Sequence, residues 1–551
     1  MTTVAETPTT PAAPPFTRPE YTHRQILVIM SGLMLVMLLA TLDQTIVSTA
    51  LTRISEDFHR TDLYSWVVTS YLLTSTASTP LYGKISDLLG RKTIFQIAIV
   101  IFLIGSALCG LSQNMYQLIA FRGLQGIGAG GLVSLTFSIV GDIIPPRQRG
   151  RYQGYFGAVF GASSVLGPLI GGVLVDNATW RWVFYVNIPI GLVSLVVINR
   201  VLRITYQRVH AKIDVVGALL LVAGVSLFLI AVQEVGQKAQ VTSTALALGT
   251  VGLALFLAFL VWETRAPEPV LPLRLFGNPI FRVTSALSLV SGIVMFGALI
   301  FLPQYMQTVR GVSPTMSGLR LLPMLGGMLL TSIGSGRLIS RFGRYRGFVI
   351  SGTFLLAVGV ALLSMIQVTT SLWVFSGMLF VVGAGLGLFV QTMILATQNS
   401  VDSRDLGTAT SAVTFFRTLG GAIGASVLGA VLIAYERSHT AAAVAKNGPV
   451  LGPKESFTHG MTNAYLWLLP VAIVGFGLSF LLREMKLRSS ATAPSATIGG
   501  PSRGETDDLA SAEMVGADGA AVETASADPA AWPHPVPPQE PGDRAPATFS
   551  R

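Results

Sequence analysis

Gly83-Lys-Ile-Ser-Asp-Leu-Leu-Gly-Arg-Lys92 returns 253 positions later as Gly336-Arg-Leu-Ile-Ser-Arg-Phe-Gly-Arg-Tyr345, with Gly83, Gly90 and Arg91 falling on Gly336, Gly343 and Arg344. A second pair follows at an offset of 257. Pro145-Pro-Arg-Gln-Arg-Gly150 falls on Asp402-Ser-Arg-Asp-Leu-Gly407, and the same offset carries Gly167 onto Gly424 and Gly172 onto Gly429. Each basic turn lies between long apolar runs. The chain therefore reads as a duplicated helical unit, both copies in the same orientation. That is the parallel repeat of one large class of membrane transporters.

Composition agrees. Of 551 residues, 51% are hydrophobic and 12% charged, and the mean hydropathy is +0.62. A soluble domain carries about 25% charged residues, so a soluble multidomain enzyme is excluded. The net charge of +10 fits basic loops beside a membrane and calls for no nucleic-acid partner. The only cysteine, Cys109, rules out disulfides and thiolate metal sites within one chain, and the six histidines do not cluster. No metal site is expected.

A helix needs about 20 apolar residues to cross a bilayer. That rule predicts fourteen spans, near 25–50, 63–83, 93–112, 115–142, 150–175, 181–202, 214–234, 242–263, 281–308, 315–338, 347–367, 371–397, 406–435 and 462–484. The repeat groups them into an N-terminal tail (1–24), a first six-helix bundle (25–205), two inserted helices (206–265), a second six-helix bundle (266–488) and an acidic C-terminal tail (489–551). Both tails have the composition of disordered segments. With the N-terminus inside, inner loops and ends hold 23 Lys and Arg against 8 outside, so both termini are expected to be cytoplasmic.

The motifs, taken together, resemble those of the major facilitator superfamily, and more narrowly its fourteen-helix drug:proton antiporters, bacterial multidrug exporters. Gly83, Asp87, Gly90, Arg91 and Lys92 are similar to the superfamily's turn between spans two and three. Arg122-Gly-Leu-Gln-Gly-Ile-Gly resembles its fourth-helix motif. Gly154, Gly167-Pro168 and Gly171-Gly172 match the antiporter motif on span five, with Ser163 in place of one glycine. Leu42-Asp-Gln-Thr-Ile-Val47, Trp180-Arg-Trp-Val-Phe-Tyr-Val-Asn-Ile-Pro189 and Gln307-Thr-Val-Arg-Gly-Val-Ser-Pro314 are similar to further signatures of the family. The resemblance covers residues 25 to 485. It implies an all-α fold of two six-helix bundles plus two inserted helices, and proton-driven antibiotic and multidrug efflux from the inner (cytoplasmic) membrane. It implies a monomer in a lipid bilayer carrying small-molecule cargo, with no cofactor beyond the proton gradient. Export of one endogenous product, such as a secondary metabolite, lipid or siderophore, is the alternative. A membrane-embedded enzyme or receptor finds no catalytic cluster, nucleotide loop or soluble domain here.

The residues support roles of their own. Asp43 is the only carboxylate deep inside a predicted span. A charge there costs about 2.5–3.5 kcal/mol on the insertion scale unless paired, hydrated or protonated, which suits a proton site. Arg122 on span four lies at similar depth and is its expected partner, with Gln125 one turn on. Arg417 lies near the middle of span thirteen with no deep acid in its bundle. Trp66, Tyr71, Gln304, Tyr305 and Gln307 are candidates for lining a cavity, alongside packing roles. Asp87 can sit near a helix N-terminus, where the dipole favours a carboxylate; the family resemblance implies that this is helix thirteen, near Leu406, in a contact that would hold the cytoplasmic side shut. In the second copy Ser340 stands at its position. The span-five glycines let another helix approach closely, and the family resemblance implies that this face seals the two bundles against each other.

Overall fold

The computed structural model describes residues 23–60, 63–202, 214–299, 301–402 and 405–487, and its regular elements are all helical. The tails expected at 1–24 and 489–551 lie outside the described residues, apart from residues 23 and 24. The first half holds α1 (His23–Asp57), α2 (Tyr64–Leu89), α3 (Arg91–Leu111), α4 (Met115–Ile143), α5 (Pro146–Asn177), the single turn α6 (Trp182–Tyr185) and α7 (Asn187–Val201). Next come α8 (Val215–Lys238) and α9 (Ser243–Glu263). The second half holds α10 (Pro279–Leu299), α11 (Leu302–Thr308), α12 (Pro314–Leu319), α13 (Leu322–Phe342), α14 (Arg346–Leu363), α15 (Leu372–Ser400) and α16 (Leu406–Ser479).

Eleven of these stretches are long and apolar enough to cross a membrane. α2 and α5 fall short of that measure because of their hydroxyl, glycine and charged residues. On α2 the hydroxyls are used for packing: Thr74 donates to the Gly123 carbonyl of α4 at 2.7 Å, and Ser78 to that of Ile127 at 3.2 Å. Hydroxyls that bond across helices substitute for the hydrophobic drive that lipid does not supply. α16 counts twice. Its 74 residues turn back at Gly448 (φ 82°), where Thr440 and Ser456 meet at 2.8 Å across two antiparallel limbs. The total is fourteen spans in two six-helix bundles plus the inserted pair.

The duplication is visible in the packing. α1 packs on α5, α2 on α4 and α3 on α4. In the second half α10 packs on α16, α13 on α15 and α14 on α15. α8 and α9 lie against each other, and α8 also touches α2 and α16. Helix starts follow the usual capping chemistry: Asn114, Thr242 and Ser371 each accept from the backbone N–H three residues on.

Two buried groups at the connections were not legible as such. Arg149 reads in sequence as one of the basic inner-loop charges, yet it is buried and donates to the carbonyls of Ile144 (2.7 Å) and Gly141 at the end of α4. It satisfies carbonyls left open at a helix terminus. Tyr345, between α13 and α14, donates to the Arg483 carbonyl at 3.0 Å, and burial pushes its hydroxyl up to about 12. It ties that turn to the segment after α16.

Between α2 and α3, Gly90 sits at φ 99°, ψ 131°, a region essentially closed to side chains. Gly90→Ala is expected to lower stability by about 1–3 kcal/mol, read as a drop in the unfolding midpoint of detergent-purified protein. An unchanged midpoint would show that the turn relaxes to negative φ.

Candidate functional site

The first half closes around Asp43. Its carboxylate is fully buried, and two helices, α4 and α7, bring three donors to it. Arg122 Nη1 on α4 donates to Oδ2 at 2.7 Å, Gln125 Nε2 to Oδ1 at 2.8 Å, and Asn187 Nδ2 at the start of α7 to Oδ1 at 2.7 Å. Arg122 also donates to Gln125 Oε1 at 2.8 Å and to the Val67 carbonyl at 3.4 Å, and its guanidinium lies 4.2 Å from the centroid of the Tyr71 ring. Asn187 donates in turn to Ser106 on α3 at 3.0 Å. The network joins five helices, α1, α2, α3, α4 and α7. A buried ion pair of this kind adds little net stability but costs about 3–5 kcal/mol if one partner is removed. Chemically it is a carboxylate faced by an arginine and two amides. A proton arriving on Asp43 removes the charge on which the Arg122 contact depends.

Asn187 carries no role in the sequence reading. Its signals are an amide inside an apolar run, Val-Phe-Tyr-Val-Asn-Ile-Pro-Ile, and its place within the signature Trp180–Pro189. Tyr71 is buried beneath Arg122 and belongs to this network, as does Gln125. Trp66 is half-buried on α2, and Gln304 and Gln307 are exposed on α11. Tyr305 is placed in the packing role that its sequence reading left open beside cavity lining. It is buried, stacks on Phe375 with centroids 5.7 Å apart, and donates to the Gln367 carbonyl at 2.9 Å.

A second constellation joins the two halves. Asp87, near the end of α2, accepts from the Thr408 backbone N–H and from its hydroxyl, both at 2.9 Å. Thr408 is in the first turn of α16, where N–H groups have no partner within the helix and the helix dipole favours a carboxylate. Arg91 bonds Asp87 at 2.9 Å and also contacts Asp142. Gly83 faces Ser411: a Cβ there would lie 2.6 Å from the Ser411 Cβ. Gln398 on α15 donates to the Phe137 carbonyl on α4 at 2.8 Å.

The repeat reappears here crosswise. Gly336, the counterpart of Gly83, packs against Gly150, the counterpart of Gly407, and a Cβ on Gly336 would lie 2.2 Å from the Gly150 carbonyl oxygen. Ser340, the counterpart of Asp87, accepts from the Arg151 N–H at 3.2 Å. The first-copy contact is an ionised group with two donors, and the second is one neutral bond. Lys92 stays within the first half and donates to the Asn199 carbonyl at 2.7 Å. Asp87→Asn removes the charge but keeps one acceptor. We expect slower transport turnover with cargo affinity within about threefold of the parent, since a charged hydrogen bond is worth about 1.5–3 kcal/mol and this one is remote from Asp43. Turnover and equilibrium binding on the same protein check this.

The α5 glycines divide their work, where the sequence reading had all of them sealing the bundles together. Gly154 faces Ser332 of α13, in the other half, with a Cβ position 3.1 Å from its carbonyl oxygen. Gly167 and Gly171 face Thr45 and Thr49 of α1, within their own half. Gly172 is half-buried. Pro168 lies on α5, with its side chain outside the described set. Arg417 on α16 is half-buried beside Ser288, Ser291 and Thr414, and has no ion pair or hydrogen bond among the described residues.

Residues 33–425 match the family model described as Major Facilitator Superfamily. The chain belongs to this superfamily. It is 39% identical over 407 residues to the multidrug transporter protein MdtP of Bacillus subtilis, covering 74% of this chain and 75% of that one. It is 38% identical over 480 residues to an uncharacterized MFS-type transporter of Mycobacterium tuberculosis strain H37Rv, covering 84% and 70%. The fold resembles the crystal structure of the human organic anion transporter MFSD10, with a TM-score of 0.59 at 17% identity over 81% of this chain and 99% of that one. This superfamily member is thus a multi-pass membrane transporter with multidrug-transporter relatives, rather than an enzyme.

Proposed function

We propose that the protein is a proton-coupled antiporter that exports small amphiphilic or hydrophobic compounds by alternating access, from the inner membrane of a bacterium, with both termini cytoplasmic. The observation that carries this reading is the Asp43 network, in which a fully buried carboxylate is matched by one arginine and two amides. The partners sit on α4 and α7, so a shift of either helix against α1 within the first half would change what faces the carboxylate. Protonation would free Arg122, loosen α1 from α4 and α7, and favour reopening of the Asp87 end. That end is the expected cytoplasmic gate, which Asp87, Gly83, Gly90, Arg91, Gly154 and their neighbours keep shut. Cargo would lie between the halves, with Trp66, Gln304, Gln307 and Arg417 as candidate contacts, and without a metal or cofactor.

Proteoliposomes with an imposed pH gradient and a panel of lipophilic dyes and antibiotics test this. Gradient-dependent movement of several unrelated compounds supports multidrug export. Movement of one compound alone supports a dedicated exporter of an endogenous product. Movement that ignores the gradient overturns proton coupling.

A further inference from the structure

Arg417 is a cation without a counter-ion. It lies eleven residues into α16, about 16 Å along the helix axis, near the middle of a hydrocarbon layer about 30 Å thick. Among the described residues it has neither ion pair nor hydrogen bond. The other deep arginine, Arg122, has its charge matched by Asp43. The space beside Arg417 is walled by α10, α15 and α16. Ser288, Ser291 and Thr414 bring hydroxyls to it, while Phe389, Val390 and Met393 supply an apolar face. An adjoining cleft shares Ser291 and Phe389 and continues along an apolar wall to Leu287, Val294 and Leu356. The backbone here is set firmly: α10 packs so closely that a Cβ on Gly292 would lie 2.0 Å from the Arg417 carbonyl oxygen. Moving the helix cannot easily relieve the charge.

An uncompensated guanidinium in a low-dielectric interior is costly until an anion reaches it. Arginine presents planar paired donors that fit a carboxylate, sulfonate or phosphate bidentately. The wall around it carries no acid, and its hydroxyls can turn from their own helix carbonyls to a ligand. We infer that this cleft in the second half is a binding subsite for the anionic head of an amphiphile, with an apolar body lying along Phe389 and the adjoining cleft. The inference deepens the export reading by naming a cargo class, and rests on that reading only for the statement that the ligand is transported. It also sets the site against dications, which meet the Arg417 charge with no spare carboxylate nearby.

The test is equilibrium binding to purified full-length protein, using 1-pyrenebutyrate and its methyl ester, two probes that differ in one charge. The parent is expected to bind the carboxylate about tenfold tighter or more, the scale of one charge-assisted hydrogen bond. Arg417→Gln should lose that preference while still binding the ester, and Arg417→Lys, which keeps the charge but not the fork, should retain part of it. No preference in the parent, or a full preference in Arg417→Gln, overturns the proposal. If Arg417→Gln fails to fold, the parent and Arg417→Lys results still decide. An anionic phospholipid shares the chemistry of the head group. Displacement of pyrenebutyrate by phosphatidylglycerol but not phosphatidylcholine would support the anion site and assign it to lipid, whereas displacement by neither assigns it to soluble cargo. Binding that persists without transport would count against the export reading and leave the site standing.

Discussion

Asp43→Asn is expected to abolish pH-driven transport, with residual movement independent of the gradient. The side chain has nearly the same shape, so the hydrogen bonds from Gln125 and Asn187 can be kept at its carbonyl oxygen. The negative charge is lost, and with it the only ion-pair partner of Arg122 among the described residues. A buried charge stripped of its partner costs about 3–5 kcal/mol. The variant should therefore also unfold at a lower temperature. The double variant Asp43→Asn with Arg122→Gln separates the two effects. It should regain most of the lost stability, since both charges are gone, and remain uncoupled. Restored coupling in the double variant, or full gradient-driven export by well-folded Asp43→Asn protein, would remove Asp43 from the proton pathway.

Gly83→Val should nearly stop turnover by a different route. The Cβ position of Gly83 is 2.6 Å from the Ser411 Cβ and 3.0 Å from the Gly407 carbonyl oxygen. Neither atom can rotate away, so α2 and α16 must separate, and Asp87 is drawn off the first turn of α16. Overpacking of this kind costs about 1–3 kcal/mol, here charged only to the state in which the Asp87 end is closed. A penalty of about 2.8 kcal/mol shifts the balance of two states about a hundredfold. Spin labels on Leu89→Cys and Phe342→Cys, exposed residues at equivalent points of the two copies, report the separation of the halves at that end. Gly83→Val should move the distance distribution to longer values without lowering cargo affinity. An unchanged distribution would show that the Gly83 contact does not govern closure.

The repeat made much of this legible in advance. The offsets that relate Gly83 to Gly336 and Gly150 to Gly407 mark four positions that meet crosswise between the halves, Gly83 with Gly407 and Gly336 with Gly150. Depth along the spans brought Asp43 and Arg122 to one level because helical rise is uniform. Other features depend on where a side chain points, which apolar runs do not encode. Span six reads as one helix and runs as one from Trp182 to Val201, but an apolar run does not say that Asn187 points at Asp43. Arg149 reads as a solvent charge because nothing in a basic turn reveals that a helix end folds over it. For Tyr305 the sequence leaves cavity lining and packing open, because a buried tyrosine and a cavity tyrosine look alike in sequence. The α5 glycines form one motif in sequence but, on a helix packed between two neighbours, serve α13 at one end and α1 at the other.

The claim that proton and cargo compete through Asp43 is tested most directly by proton release. Cargo is added to purified protein in weakly buffered detergent solution, and the pH change is read with an electrode or indicator. Antiport through this site predicts release of protons from the parent, saturating with cargo, and none from well-folded Asp43→Asn. Equal release from both proteins, or no release from a parent that demonstrably binds cargo, would contradict it.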